Sequence, residues 1–205
     1  EVALSYSAFT DQGDVNRTSI EGAVEYSFGQ NFSMQGDLAH HSFGASNENA
    51  TTVTLHGIYH LNDSTSLGAF LGRDHAAGEN VTTYGLEVGR DLGRIDIEGY
   101  LGGFSDSGTD GTLIGGQARY AYTPQIGFGA NFDYGRLDSN VDLTRFGVNA
   151  DYKFAGGPVI SAEIGQLHAN AFALGGTEAY AKIGTGFELG AKRGATFNAR
   201  SLTRL

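Results

Sequence analysis

The sequence predicts an all-β fold, an up-and-down antiparallel transmembrane β-barrel of about twelve strands, and three observations predict it. Apolar and polar residues alternate along nearly the whole chain. The run Arg145-Phe146-Gly147-Val148-Asn149-Ala150-Asp151-Tyr152-Lys153-Phe154 shows it most plainly, with every even position apolar. A period of two gives a β-strand one apolar and one polar face. Short turn-forming stretches reverse the pattern again and again, and no helical segment interrupts it to cover either face.

The elements follow in order between the connections. Tight connections fall near Gly29-Gln30-Asn31, Asn62-Asp63-Ser64, Asp91-Leu92-Gly93, Thr123-Pro124-Gln125, Ala155-Gly156-Gly157-Pro158 and Gly190-Ala191-Lys192-Arg193, all residues that tolerate turn geometry. Mostly longer polar loops lie between them, at 10–17, 44–50, 74–80, 106–111, 138–140 and 169–176. Tight turns alternating with looser loops suit the two ends of an up-and-down barrel.

Thirteen candidate strands result. Segment 2–9 opens on the alternating Val2-Ala3-Leu4-Ser5-Tyr6; 18–28 sets Glu21 and Glu25 against Tyr26 and Phe28. Segment 32–43 sets Asp37 against Phe32, and 51–61 sets His56 against Tyr59. Segments 65–73 and 81–90 are bounded by turns, and 95–105 carries Asp96 and Glu98 on one face. Segments 112–122 and 126–137 oppose Arg119 to Tyr120 and Tyr122, and Asp133 to Phe128. Segment 141–154 holds the run quoted above; 159–168, 177–189 and 194–204 complete the set. Single-chain bacterial barrels have even strand numbers, so twelve is the expectation and fourteen the alternative. The last segment either pairs with the first to complete one strand or is irregular. Residues 1–205 read as one domain without a linker.

Composition agrees. Of 205 residues only 2 are Pro, each of which would remove a ladder donor, and 32 are Gly without a collagen period. A formal charge of −10 argues against a nucleic-acid partner, which needs a basic footprint. The absence of Cys excludes disulfides and thiolate metal sites. Mean hydropathy is −0.22, and no stretch approaches the roughly 18 apolar residues of a membrane helix. Neither fact bears on a membrane barrel, in which every second residue is polar. The chain opens directly on an alternating run, as expected of a mature protein after signal removal.

Two observations turn the apolar face outward. About eight strands already leave room for a small ligand, so twelve enclose a space too wide for apolar side chains to fill. The aromatics Tyr26, Phe28, Phe32, Tyr59, Tyr120, Tyr122, Phe128, Tyr152 and Phe154 also share the apolar register close to the tight turns. That is the aromatic girdle expected at a lipid–water interface. The expected location is the outer membrane of a Gram-negative bacterium, with its lipid and lipopolysaccharide as partners.

The stretches Tyr84-Gly-Leu-Glu-Val-Gly-Arg-Asp-Leu-Gly93 and Asn149-Ala-Asp-Tyr-Lys-Phe-Ala-Gly-Gly157 resemble the bacterial outer-membrane β-barrel class and, in texture, alphaproteobacterial porins. The resemblance implies a porin-like channel for passive diffusion of small polar solutes or ions. Two features depart from the pattern. The chain is short for a barrel of about sixteen strands and lacks a loop long enough to fold inside it. It also ends in Ser201-Leu202-Thr203-Arg204-Leu205 rather than in the Phe that such barrels commonly carry.

With the apolar register facing lipid, the expected pore-lining residues are Glu21, Glu25, Asp37, His56, Glu87, Asp96, Glu98, Arg119, Asp133, Arg145, Asp151, Lys153, Glu163 and Lys182. Glu178 and Glu188 share that face, so carboxylates outnumber cations and the lumen should prefer cations. Turn positions propose neighbours: Asp133 opposite Arg145, Glu163 opposite Lys182, Glu87 opposite Glu98, and Glu98 opposite Arg119. Inward Gly115, Gly127, Gly129, Gly147, Gly184 and Gly186 favour residual space and no evident plug.

Asp37 is expected opposite His56, with His41 and His60 nearby on the same face and His40 turned toward lipid. Such a set can orient a general base or hold a transition metal. No recognisable motif places a Ser or Cys nucleophile beside it, and polar wall residues are the simpler reading. Asp106-Ser-Gly-Thr-Asp-Gly111 lacks the alternating acids and terminal Glu of an EF-hand loop, and reads as a polar surface loop. The loop acids Asp11, Asp14, Glu48, Asp74 and Glu79 are candidates for bridging divalent cations to surface lipid. A channel without catalytic residues, metal or cofactor ranks first, a non-conducting structural or loop-presenting barrel second, and an outer-membrane enzyme last. Oligomerisation is open.

Overall fold

The computed structural model describes residues 1–11, 13–46, 48–106, 109–137, 141–171, 174–188 and 196–202. Twelve strands follow one another: β1 (Val2–Phe9), β2 (Asn16–Phe28), β3 (Phe32–Phe43), β4 (Asn49–Asn62), β5 (Thr65–Ala76), β6 (Glu79–Asp91), β7 (Ile95–Asp106), β8 (Thr109–Ala121), β9 (Ile126–Leu137), β10 (Val141–Lys153), β11 (Pro158–Ala171) and β12 (Leu174–Phe187). Each pairs antiparallel with its sequence neighbours, and β1 pairs with β12 to close the barrel. Closure leaves no free sheet edge, the requirement for a sheet in hydrocarbon.

The alternation sorts the faces. Val24, Leu86 and Ile164 point outward and are 75%, 69% and 64% exposed, while the buried set is rich in Gln35, Asp37, Thr52, Thr54, His56, Asp74 and Glu87. This inverts a water-soluble protein and suits a barrel whose outer solvent is lipid. Among the described residues no helix is long and apolar enough to cross a membrane. All nine aromatics from Tyr26 to Phe154 named above stand exposed on the outer face at the tight-turn end. Several touch in pairs, as Tyr26 with Phe28 and Phe32 with Tyr59, with ring centroids 4.9 Å apart in each case.

The strands run further than the sequence predicts, so most loops are short. The expected loop 74–80 is continued ladder closed by Ala77 and Gly78, whose φ values of 51° and 84° match a two-residue type I′ hairpin. Pairing likewise reaches Asp106↔Thr109 and Ala171↔Leu174, leaving only 107–108 and 172–173, outside the described residues, between the strands. Polar residues there had suggested loops, but polar residues on the water-facing ends of strands give the same signal.

The register places Arg145 opposite Asp133 and Lys182 opposite Glu163. Three other proposed pairs are displaced by two residues. Glu98 lies opposite Gly89 rather than Glu87, Arg119 opposite Asp96 rather than Glu98, and Asp37 opposite Thr54 rather than His56. At the first of these, the left-handed residue of the turn is Gly93, with φ 84°, which moves the turn centre by one position and the pairing by two. A shift of two keeps every side chain on its face, so inside and outside survive the error.

The thirteenth candidate segment, 194–204, is not a strand. β1 already uses both edges, with β2 and β12. The described part of that segment, 196–202, runs inside the barrel instead. The expected turn at 190–193 lies outside the described residues.

Candidate functional site

Inward residues of β2–β7 form an acidic wall: Glu25, Asp37, Asp74, Glu87 and Glu98. His56 on β4 sits between two of them, with Nε2 2.7 Å from Asp37 and Nδ1 2.6 Å from Glu87. It therefore reaches Asp37 diagonally, although Gln35 is its register partner. Gln35 braces Asp37 with an amide donor at 2.9 Å. Both ring nitrogens of His56 are engaged and the residue is 1% exposed, so it is not placed to take a proton from a substrate.

Residues 196–202 fill the space in front of this wall, climbing from the turn end toward the loop end. The Thr196 amide donates to Glu25 at 2.8 Å, and Phe197 exchanges bonds with Gln35, donating to Oε1 at 3.1 Å and accepting from Nε2 at 2.5 Å. The Asn198 amide and side chain donate to Glu98 at 3.2 and 3.0 Å. Arg200 donates from Nε to Glu87 at 2.9 Å, pairs with Glu98, and lies 4.3 Å from the centre of the Tyr100 ring. The Ser201 hydroxyl and Leu202 amide donate to Asp74 at 2.7 and 2.9 Å.

Several expectations are corrected here. Asp74 is a buried strand residue tied to Thr52, Ser201 and Leu202, not a loop acid bridging cations. The neighbour that balances Glu87 and Glu98 is Arg200, while Arg119 makes a two-pronged pair with Asp151 at 2.8 and 2.6 Å. The lumen does hold a plug-like segment. Several inward glycines seat larger side chains rather than leaving space: a Cβ on Gly147 would stand 2.7 Å from both the Tyr180 hydroxyl and Glu163.

The opposite wall, β8–β12 with residues of the flanking β2 and β7, keeps an open polar cavity of about 470 Å³. Glu21, Asp96, Asp133, Asp151, Glu163 and Glu188 line it with Arg17, Arg119, Arg145, Lys153, Lys182 and Arg200. Arg145 donates to Glu163 at 2.7 Å and to the Tyr180 hydroxyl at 2.9 Å, and stands 3.8 Å from Asp133. Tyr100 donates to Asp133 at 2.7 Å, and Lys153 to Glu188 at 2.5 Å. Such cross-strand pairs each contribute about 0.2–1 kcal/mol. Toward the loop end the lumen turns apolar, in a cavity of about 350 Å³ bounded by Phe9, Val15, Phe43, Leu167 and Leu202.

Of the remaining histidines, His75 meets the Asn80 amide oxygen at 3.2 Å, His60 also stands 3.7 Å from Glu25, and the other contacts are to hydroxyls. His41 bonds Ser19 at 2.7 Å, His60 bonds Ser33 and Ser66 at 2.9 Å each, and exposed His40 meets Thr51 at 3.2 Å. Among the described residues no three His, Cys, Asp or Glu side chains form a metal-binding group. The expected surface loop 106–111 is mainly the β7–β8 hairpin, and 107–108 lie outside the described residues. Sequence reasoning missed Gln35, Tyr100, Tyr180, Phe197 and Arg200. The available signal was in 196–202, where Phe197 is the single bulky apolar residue of its register.

No protein-family model matches the sequence, and a search of curated proteins returns no match. Solved structures do match. The chain is similar to the NanC porin, with TM-score 0.78 and 9% identity over 92% of this chain and 100% of that one. It is similar to the KdgM porin, also determined in complex with disordered oligogalacturonate, with TM-score 0.68 and 11% identity over 92% and 99% of the two chains. An outer-membrane channel from Pseudomonas putida F1 gives TM-score 0.55 and 14% identity over 89% and 94%. The chain therefore has the fold of small outer-membrane porins, a closed antiparallel barrel of twelve strands.

Proposed function

We propose that the chain is an outer-membrane channel through which small polar solutes or ions diffuse passively, with a preference for cations. The observation that carries this reading is the polar cavity of about 470 Å³ along β8–β12, inside a barrel whose outer face is apolar. A wet, charged lumen crossing an apolar shell provides what hydrocarbon denies to ions. The outward aromatics at the turn end act as the interfacial girdle, and the surrounding lipid and lipopolysaccharide are the partners. The cation preference rests on the acids of the lumen outnumbering its cations, weakened because His56 and Arg200 offset Asp37, Glu87 and Glu98.

KdgM was captured with oligogalacturonate. A similar solute is not proposed here, because Arg119, Arg145 and Lys153 are each held by a carboxylate. The second reading is a non-conducting structural barrel, favoured by the occupation of the β2–β7 half of the lumen by 196–202. Single-channel recording in planar bilayers separates the two. Steady, cation-selective steps support the channel; a folded, heat-modifiable barrel that never conducts supports the structural reading.

A further inference from the structure

Resting on that channel reading, we propose that residues 196–202 are a constriction built into the pore, which sets its width and offsets the charge of its acidic wall. The segment lies outside the strand ladder, yet several of its backbone groups are paired inside the barrel. The amides of Thr196, Asn198 and Leu202 donate to the carboxylates of Glu25, Glu98 and Asp74 at 2.8, 3.2 and 2.9 Å. Buried backbone groups are paired almost without exception, and here the wall's side chains supply the acceptors.

Shape agrees with charge. Phe197 is 2% exposed and stacks on His56, with ring centroids 6.2 Å apart and an angle of 21°. A Cβ on Gly68 would stand 2.7 Å from the Phe197 ring, so that position seats the ring only as glycine. Arg200 reaches both Glu87 and Glu98. The segment spans the lumen: Glu25 stands three residues before the turn end of β2, and Asp74 two residues before the loop end of β5. Solute is thereby confined to the β8–β12 side, where acids and cations are nearly balanced.

The chain has no cysteine, so a designed pair reports the segment's place without background. The hydroxyls of Thr52 and Ser201 lie 3.0 Å apart, and a Thr52→Cys, Ser201→Cys variant should form a disulfide in the folded barrel. A chain ending at residue 195 should give single-channel steps several-fold larger. Its reversal potential in a potassium chloride gradient should move toward the potassium limit. Arg200→Ala in the 205-residue chain should move the reversal potential the same way, and it serves if the shortened chain does not fold. Failure of the cysteine pair to cross-link overturns the proposal. Steps of unchanged size and selectivity in both variants overturn it while leaving the channel reading intact. No conductance from any folded variant overturns the two together.

Discussion

Arg200 and Glu87 form an ion pair inside the barrel, Nε to Oε2 2.9 Å, although they stand 113 positions apart in sequence. Their side chains are 5% and 0% exposed. A carboxylate on the wall thus takes part of its compensation from a segment that is not part of the wall. Removing one partner of such a buried pair leaves the other uncompensated, at a cost of about 3–5 kcal/mol. Glu87→Leu leaves Arg200 with Glu98 alone and His56 with Asp37 alone. The expected outcome is a lower free energy of urea unfolding in detergent, by up to that amount. An unchanged midpoint would mean that water already reaches the pair.

His56 keeps Asp37 and Glu87 apart. His56→Leu brings two carboxylates to an apolar side chain, and the unfolding free energy should fall by about 3–5 kcal/mol. His56→Gln retains a donor and should recover part of the loss. Assays for ester or peptide hydrolysis should read the same in the parent and both variants, since the ring is 1% exposed and fully engaged. Hydrolysis that vanished with His56 would revive the enzymatic alternative.

Arg145 is a buried cation of the strand wall that lines the open cavity, bound to Glu163 and Tyr180. Arg145→Ala leaves Glu163 and Asp133 facing the solute path. The reversal potential in a salt gradient should shift toward greater cation preference, and less so at high salt, where screening is stronger. A shift toward anions would contradict the assignment of this cavity as the path.

Depth in the membrane should show on the outer face. Leu86 stands near the middle of β6, 69% exposed, whereas Tyr26 lies two residues from the turn end of β2. Leu86→Arg should destabilise vesicle-refolded protein by about 2–4 kcal/mol, and Tyr26→Arg by about 0–1 kcal/mol. Equal costs would place the lipid boundary elsewhere.

Much of the wall was legible in the alternation itself. Val24, Leu86 and Ile164 on one face and Glu87, Asp133 and Arg145 on the other follow from a period of two, which no register error of two residues disturbs. Turn centres were less legible: Gly93 rather than Leu92 takes the left-handed conformation, and the partner of Glu98 moved accordingly. The interior of 196–202 was not legible. Its first five residues, Thr196 to Arg200, alternate polar and apolar as a strand would, and nothing local shows that the segment's partners are Glu25, Glu87, Glu98 and Asp74. Asp74 failed as a loop acid because β5 continues to Ala76, and two of its three partners, Ser201 and Leu202, come from the far end of the chain.

Single-channel conductance of the purified 205-residue chain in a planar bilayer, under a potassium chloride gradient, would decide between an open and a closed lumen. Steady steps with a modest cation-selective reversal potential are the expected result. A barrel that resists heat and urea yet passes no current would contradict the channel and leave a structural protein whose lumen is sealed from within.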